Sequence, residues 1–462
     1  MTIALKPGED SWKSSSSIKA PTSAGRAEAE MHKRSKLLAF TAVAQFAMFS
    51  FSIFSSAAVA RGLSLGERGA LNLVVALATS AQVLGHFSVE QSQTYQWSKG
   101  IPHSVLASNA VMLGMLNGTL AASVTWLLVR VIAPQWFGTV SAVNLFVGLA
   151  AVPLIVTTLY ITQLARLSDR LNAVNRSRVI TTFGYTLFVG GLYLTDQLTV
   201  VRALAGWAVS SFMPGIIMLR GFEVRLRNVD TKIAWQTLTK GLAYHPAMAS
   251  IFLLWRIDQL LVNAYFKVDK APLALYAQAA TLSEMALLVT TSIAQVMLPK
   301  QVEGSLSDAT RFSAVVVRVN LLFSALVAIG LAIVGPFAMV LVYGRAYAGS
   351  TAPLLALLPG VVAVAVLSPC QAILVRMNKP SRITAIYLPA LALNVVLNKL
   401  FLPHFGITGT ALASTIPYIL LSGFLIRWIS HEVKVPMREF FPGKADAQLL
   451  LRVALRRKQT VH

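Results

Sequence analysis

Residues 252–266 read FLLWRIDQLLVNAYF, an apolar stretch carrying a guanidinium, Arg256, and a carboxylate, Asp258, near its middle. It is the core of one of twelve apolar segments in the chain. Each is long enough to supply the roughly 20 helical residues that a hydrocarbon core about 30 Å thick requires. Ionised groups at that depth are costly unless they have partners or line a polar cavity. The stretch therefore predicts an all-α polytopic membrane protein with a polar path through its bundle.

Working outward, the segments fall at about 37–60, 70–89, 105–129, 141–165, 177–195 and 198–219, then at about 243–266, 272–298, 315–343, 351–375, 383–402 and 407–429. This divides the chain into a basic N-terminal tail (1–36), an N-lobe of helices 1–6 (37–220), a linker (221–242), a C-lobe of helices 7–12 (243–429) and a basic C-terminal tail (430–462). Each half enters and leaves on the same side, as two copies related by an axis along the membrane normal would. An internal echo fits this. GLSLGERGALNLVVALATSAQVL (62–84) and FKVDKAPLALYAQAATLSEMALL (266–288) each run from a short charged loop into a helix rich in small residues.

Of 462 residues, 55% are hydrophobic and only 13% charged, too few charges for a soluble chain of several domains. The formal net charge of +22 is topological. With the N-terminus inside, about 31 of the 40 Lys and Arg fall on the cytoplasmic side and about 8 outside. That asymmetry predicts an even number of spans with both termini cytoplasmic, and accounts for the charge without a nucleic-acid partner. The polar first 36 residues lack a cleavable signal pattern, so the first helix is expected to act as an uncleaved anchor. The single cysteine, Cys370, excludes a disulfide and a thiol metal cluster. The end of the chain, PGKADAQLLLRVALRRKQTVH (442–462), reads either as an amphipathic helix on an anionic leaflet or as a disordered basic tail.

Five second-half segments occur in an informative order: Arg256-Ile257-Asp258, then LALYAQAATLSEM (273–285), MLPK (297–300), LVYGRAYAGSTAPLLALLPG (341–360) and NVVLNKLFLPHFGITGTALAST (394–415). Over roughly residues 250–425 this resembles the polysaccharide-transporter and O-antigen (Wzx-type) oligosaccharide-lipid flippase family, within the multidrug/oligosaccharidyl-lipid/polysaccharide (MOP) superfamily. The resemblance implies two six-helix lobes around a central cavity that opens alternately to either side. It implies a polyprenyl-pyrophosphate-linked oligosaccharide as cargo, moved outward across the inner (plasma) membrane for surface polysaccharide synthesis. A polymerase and glycosyltransferases would then be partners alongside membrane lipids. Two C-terminal spans found in many relatives are absent from this sequence.

Arg256 is the first candidate for an anionic head group, because a guanidinium is always charged and offers several donors to phosphate oxygens. The structural alternative is a salt bridge to Glu284, which lies within about one helical turn in depth on the next antiparallel helix. At 100° per residue, Arg256 and Asp258 point about 200° apart and serve different neighbours. Asp258 and Glu284 are candidates for ion coupling or, alternatively, for satisfied interhelical bonds. His86 and Glu90, four apart on one helix face, form either a gate at the inner mouth or an interfacial acid beside a packing histidine. Asn394 and Asn398 share a face of the eleventh helix, and Gln45, Tyr160, Gln163, Gln278 and Gln295 are further candidates for contacts to sugar. No metal site and no cofactor is expected. External connections of about ten residues or fewer exclude the acceptor-binding domain that a glycosyl polymerase or ligase requires, and no Gly-rich phosphate loop is present. No catalysis is expected. The nearest alternative is a cation- or proton-coupled multidrug exporter of the same superfamily, which would need an acidic cavity.

Overall fold

The computed structural model describes residues 23–443 except 138–139, 169, 303–304 and 378–379, so the C-terminal segment from 444 and the first 22 residues lie outside the described residues. The first half contains α1 (Ser23–Gly62), α2 (Leu65–Gly85), α3 (Val89–Ser98), α4 (His103–Leu127), short α5 (Pro134–Phe137), α6 (Ala142–Ala150), α7 (Val152–Leu167), α8 (Leu171–Leu194) and α9 (Val200–Leu219). The second contains α10 (Thr231–Tyr265), α11 (Ala271–Val302), α12 (Leu306–Ala338), α13 (Thr351–Val364), α14 (Leu367–Arg376) and α15 (Pro380–Val433). Among the described residues there are no strands.

Eight helical segments are long and apolar enough to cross a membrane, and α2 with α3, bent by 40°, makes a ninth. One of the eight, α15, is two passes. Asn394 Nδ2 donates to Ser414 Oγ at 3.3 Å although the residues are 20 apart in sequence, a separation of about 30 Å along a straight helix. The reversal is at Gly406, whose φ of 57° and ψ of −146° suit only a residue without a Cβ. With α8 and α11 the passes number the twelve read from the sequence. They alternate between a basal face, where residue 443 lies, and a distal face, which carries the α1–α2, α10–α11 and Gly406 turns.

Several boundaries differ from the sequence reading. The helix that carries Arg256 begins at Thr231 rather than near 243, because Asp230 caps it by accepting from the Ile233 amide at 2.9 Å. Half of the expected linker is thus helix. What remains is tied to the N-lobe: Asn109 Nδ2 donates to the Asp230 carbonyl and Asn109 Oδ1 accepts from its amide, both at 3.0 Å. The second pass is not one helix, since Phe87 and Ser88 take φ of 45° and 51° and break it.

Small residues set the helix spacing, as they do where lipid and protein are equally apolar. A Cβ on Gly118 of α4 would overlap Pro153 of α7, and one on Gly360 of α13 would stand 2.8 Å from Thr415. The lobes meet where α2 and α3 pack against α10 and α11. Two distal ties close the seam: Lys270 Nζ reaches the Phe137 carbonyl at 3.4 Å, and Arg61 Nε donates to the Val342 carbonyl at 2.8 Å.

Candidate functional site

α1 and α8 of the N-lobe face α11 of the C-lobe across a gap. A cavity of about 380 Å³ lies there, lined by Gln45, Ser52 and Ser56 of α1, Arg178 and Thr182 of α8, and Thr281 and Glu284 of α11. Glu284 accepts from Arg256 through both oxygens, at 3.1 and 3.4 Å. Both side chains remain 31% exposed. The salt bridge is bidentate and still reachable by solvent, the arrangement in which a planar guanidinium can exchange a carboxylate for another two-oxygen anion. Arg178 adds a second guanidinium, so cations outnumber the single acid at this wall.

Above the cavity, toward the distal face, Arg68 Nη2 donates to Ser56 Oγ at 3.2 Å and Ser56 donates to Gln278 Oε1 at 3.3 Å. These three residues from α2, α1 and α11 roof the cavity with polar groups. Arg68 Nε and Gln278 Nε2 are buried there without a hydrogen-bond partner.

Asp258 points away from Arg256, into the C-lobe. It is 3% exposed. One of its oxygens accepts from the Tyr276 hydroxyl and from Ser414 Oγ, the latter at 3.2 Å, and the other accepts from the Gln259 amide at 2.7 Å. Ser414 also accepts from Asn394, and Asn398 Nδ2 donates to Asn394 Oδ1 at 3.0 Å. Asp258, Asn394 and Asn398 therefore form one buried network inside the lobe, and the two asparagines lie off the cavity wall. Tyr160 is also off it: fully buried in the N-lobe, it donates to the His86 carbonyl at 2.6 Å and accepts from Asn117 at 3.3 Å. Gln163 bonds Thr94 at 3.2 Å on the seam between α7 and α3. The Gln295 side chain lies outside the described residues.

His86 and Glu90 do meet, but across the break rather than along one helix. His86 Nδ1 stands 3.2 Å from Glu90 Oε2. Of the sequence candidates, then, Gln45 and Glu284 line the cavity, Arg256 is bound to its wall and Gln278 is in its roof. Arg178 and Arg68 were missed as cavity groups. Each sits within about one turn of a span end, where an arginine reads as a topological charge, and only the helix facing reveals otherwise.

The same helix arrangement occurs in solved transporters. An inward-facing multidrug-resistance MATE transporter of the MOP superfamily superposes with a TM-score of 0.66 at 12% identity, covering 86% of this chain and 99% of that one. The fold is that of the MOP transporters. The lipid II flippase MurJ, in an inward closed conformation, gives a TM-score of 0.66 at 13% identity over 87% of this chain and 88% of that one. A MOP superfamily transporter from Pyrococcus furiosus, described by the reverse polarity of its binding pocket, gives 0.61 at 13% identity over 87% and 96%. No family model and no curated protein matches the sequence.

Proposed function

We propose that the chain is an alternating-access transporter that carries a polyprenyl-pyrophosphate-linked oligosaccharide across the plasma membrane for surface polysaccharide synthesis. The basal face is cytoplasmic in this reading, since the Lys and Arg concentrate there. A polymerase acting outside the membrane is the natural consumer of the product.

One observation carries the reading: the reachable, bidentate Arg256–Glu284 pair on the wall of an interlobe cavity that also holds Arg178. A diphosphate brings the two-oxygen geometry that lets it displace Glu284 from Arg256, while amides and hydroxyls such as Gln45 and Ser52 suit sugar. A cation exporter would want the reverse balance of charge. Asp258, the acid on the same helix as Arg256, is turned away and satisfied.

Cells lacking the chain and complemented with Arg256→Ala are expected to lose surface polymer and accumulate lipid-linked repeat units, with protein level unchanged. Arg256→Lys is expected to restore little, because an ammonium lacks the planar fork. Normal polymer with Arg256→Ala would remove the residue, and with it this reading. Resistance to organic cations that depends on Glu284 would favour the exporter instead.

A further inference from the structure

The cavity does not use the break between α2 and α3, yet that break concentrates unusual features. Phe87 and Ser88 are successive left-handed residues with no glycine to ease them. Ser88 is the N-cap of α3 but provides no side-chain cap. Its amide instead donates to His86 Nδ1 at 2.8 Å. That nitrogen is therefore an acceptor, without a hydrogen. Glu90 Oε2 nevertheless approaches the same nitrogen to 3.2 Å, and it is buried with no hydrogen-bond partner. Two lone-pair atoms face each other with no proton between them. Such a contact is favourable only once a proton occupies it.

Neutral and protonated His86 cannot make the same bonds. With Nδ1 bare, the ring accepts from Ser88 and holds the left-handed turn. A proton taken from solvent onto Nδ1 turns the nitrogen into a donor, which satisfies Glu90 and must release the Ser88 amide. The turn is packed on the other lobe. A Cβ at Gly241 of α10 would stand 2.5 Å from the Phe87 carbonyl oxygen and 3.1 Å from the Ser88 carbonyl carbon. Phe87 and His245 of α10 meet edge to face with ring centroids 5.4 Å apart, and Ser88 Oγ lies 3.5 Å from His245 Nδ1.

We propose that the α2–α3 break is a proton-binding hinge, in which protonation of His86 Nδ1 exchanges the Ser88 amide for the Glu90 carboxylate and resets the contact between the N-lobe and α10. The other groups facing it are Tyr160 of α7, whose hydroxyl donates to the His86 carbonyl, and on α10 His245, whose ring centroid is 5.5 Å from that of His86. The nearby ammonium of Lys240 lies over the Tyr95 ring at 3.1 Å. From α4, Asn117 reaches Tyr160 and brings no charge. The site is independent of the cargo.

Hydrogen exchange of the full chain in nanodiscs, read on the peptide spanning 86–92 and corrected for intrinsic rates, tests this between about pH 5 and 8. Protection is expected to fall several-fold on acidification with one midpoint. His86→Gln is expected to abolish the pH dependence, and Glu90→Gln to weaken it, because the carboxylate that would accept from the protonated ring is gone. Arg256→Ala is expected to leave the profile intact, which separates this hinge from the cargo reading. A flat wild-type profile, or one unchanged in His86→Gln, would overturn the proposal. Should His86→Gln fail to fold, an undiminished pH response in Glu90→Gln overturns it equally. Spin labels on α3 and α10 are expected to change separation with the same midpoint, and a fixed separation sinks the link between lobes.

Discussion

Arg256 and Asp258 stand two positions apart on α10, and the pitch of the helix sends one toward the cavity and the other into the C-lobe. Their environments then assign them different work. Arg256 keeps a solvent-reachable partner, so its pairing with Glu284 contributes little to stability, about 1 kcal/mol or less. Asp258 accepts three hydrogen bonds in a dry interior. Replacing it with leucine strands the Tyr276 and Ser414 hydroxyls and the asparagine pair behind them. Asp258→Leu is expected to lower the thermal unfolding midpoint of the purified protein, a loss of about 2–4 kcal/mol. Asp258→Asn, which keeps an acceptor, should lose less. Equal loss in both would mean that the negative charge, rather than the hydrogen bonding, stabilises the lobe.

At the scale of elements, Gly406 decides how the last two passes associate. Its backbone lies where a Cβ is strained, and the tight reversal lets 380–405 and 407–433 pack as a hairpin that brings Asn394 to Ser414. Gly406→Ala is expected to cost about 1–3 kcal/mol, visible as lower thermal stability and yield. A variant as stable as wild type would show that the turn tolerates a side chain. The twelve passes and this reversal were legible in the sequence, because apolar runs between polar breaks count spans directly and Gly406 follows Pro403 in such a break. The break at Phe87–Ser88 was not legible, since neither residue favours a left-handed backbone and it lies beside an apolar run. Nor was the facing of each helix. Lipid and protein interior are equally apolar, so hydropathy does not separate Tyr160, buried in the N-lobe, from Gln45 on the cavity wall. Arg256 and Asp258 could be found because a charge in an apolar run needs an explanation whichever way it points.

For the whole molecule, the proposed alternating access requires the distal seam to part, and Gly69 is its tightest point. A Cβ there would overlap the backbone carbonyl of Lys270 in the opposite lobe. That loop cannot yield easily, because Lys270 Nζ is held by Asn263 Oδ1 at 2.6 Å, the Lys267 carbonyl at 2.8 Å and, across the seam, Phe137. A side chain at residue 69 therefore acts as a wedge against one conformation only, the one in which the distal ends meet. A wedge that costs this state about 1.4 kcal/mol more than its distal-open counterpart shifts their ratio about tenfold. Gly69→Val is accordingly expected to raise the labelling rate of a cysteine placed at Ser56, under the distal roof, by a reagent supplied from the distal side. The same cysteine should react more slowly with reagent from the basal side. Gly69→Ser, with a smaller side chain, is expected to shift both rates in the same directions by less. If Gly69→Val changes neither rate while remaining folded, the seam is not the barrier between the cavity and the distal face.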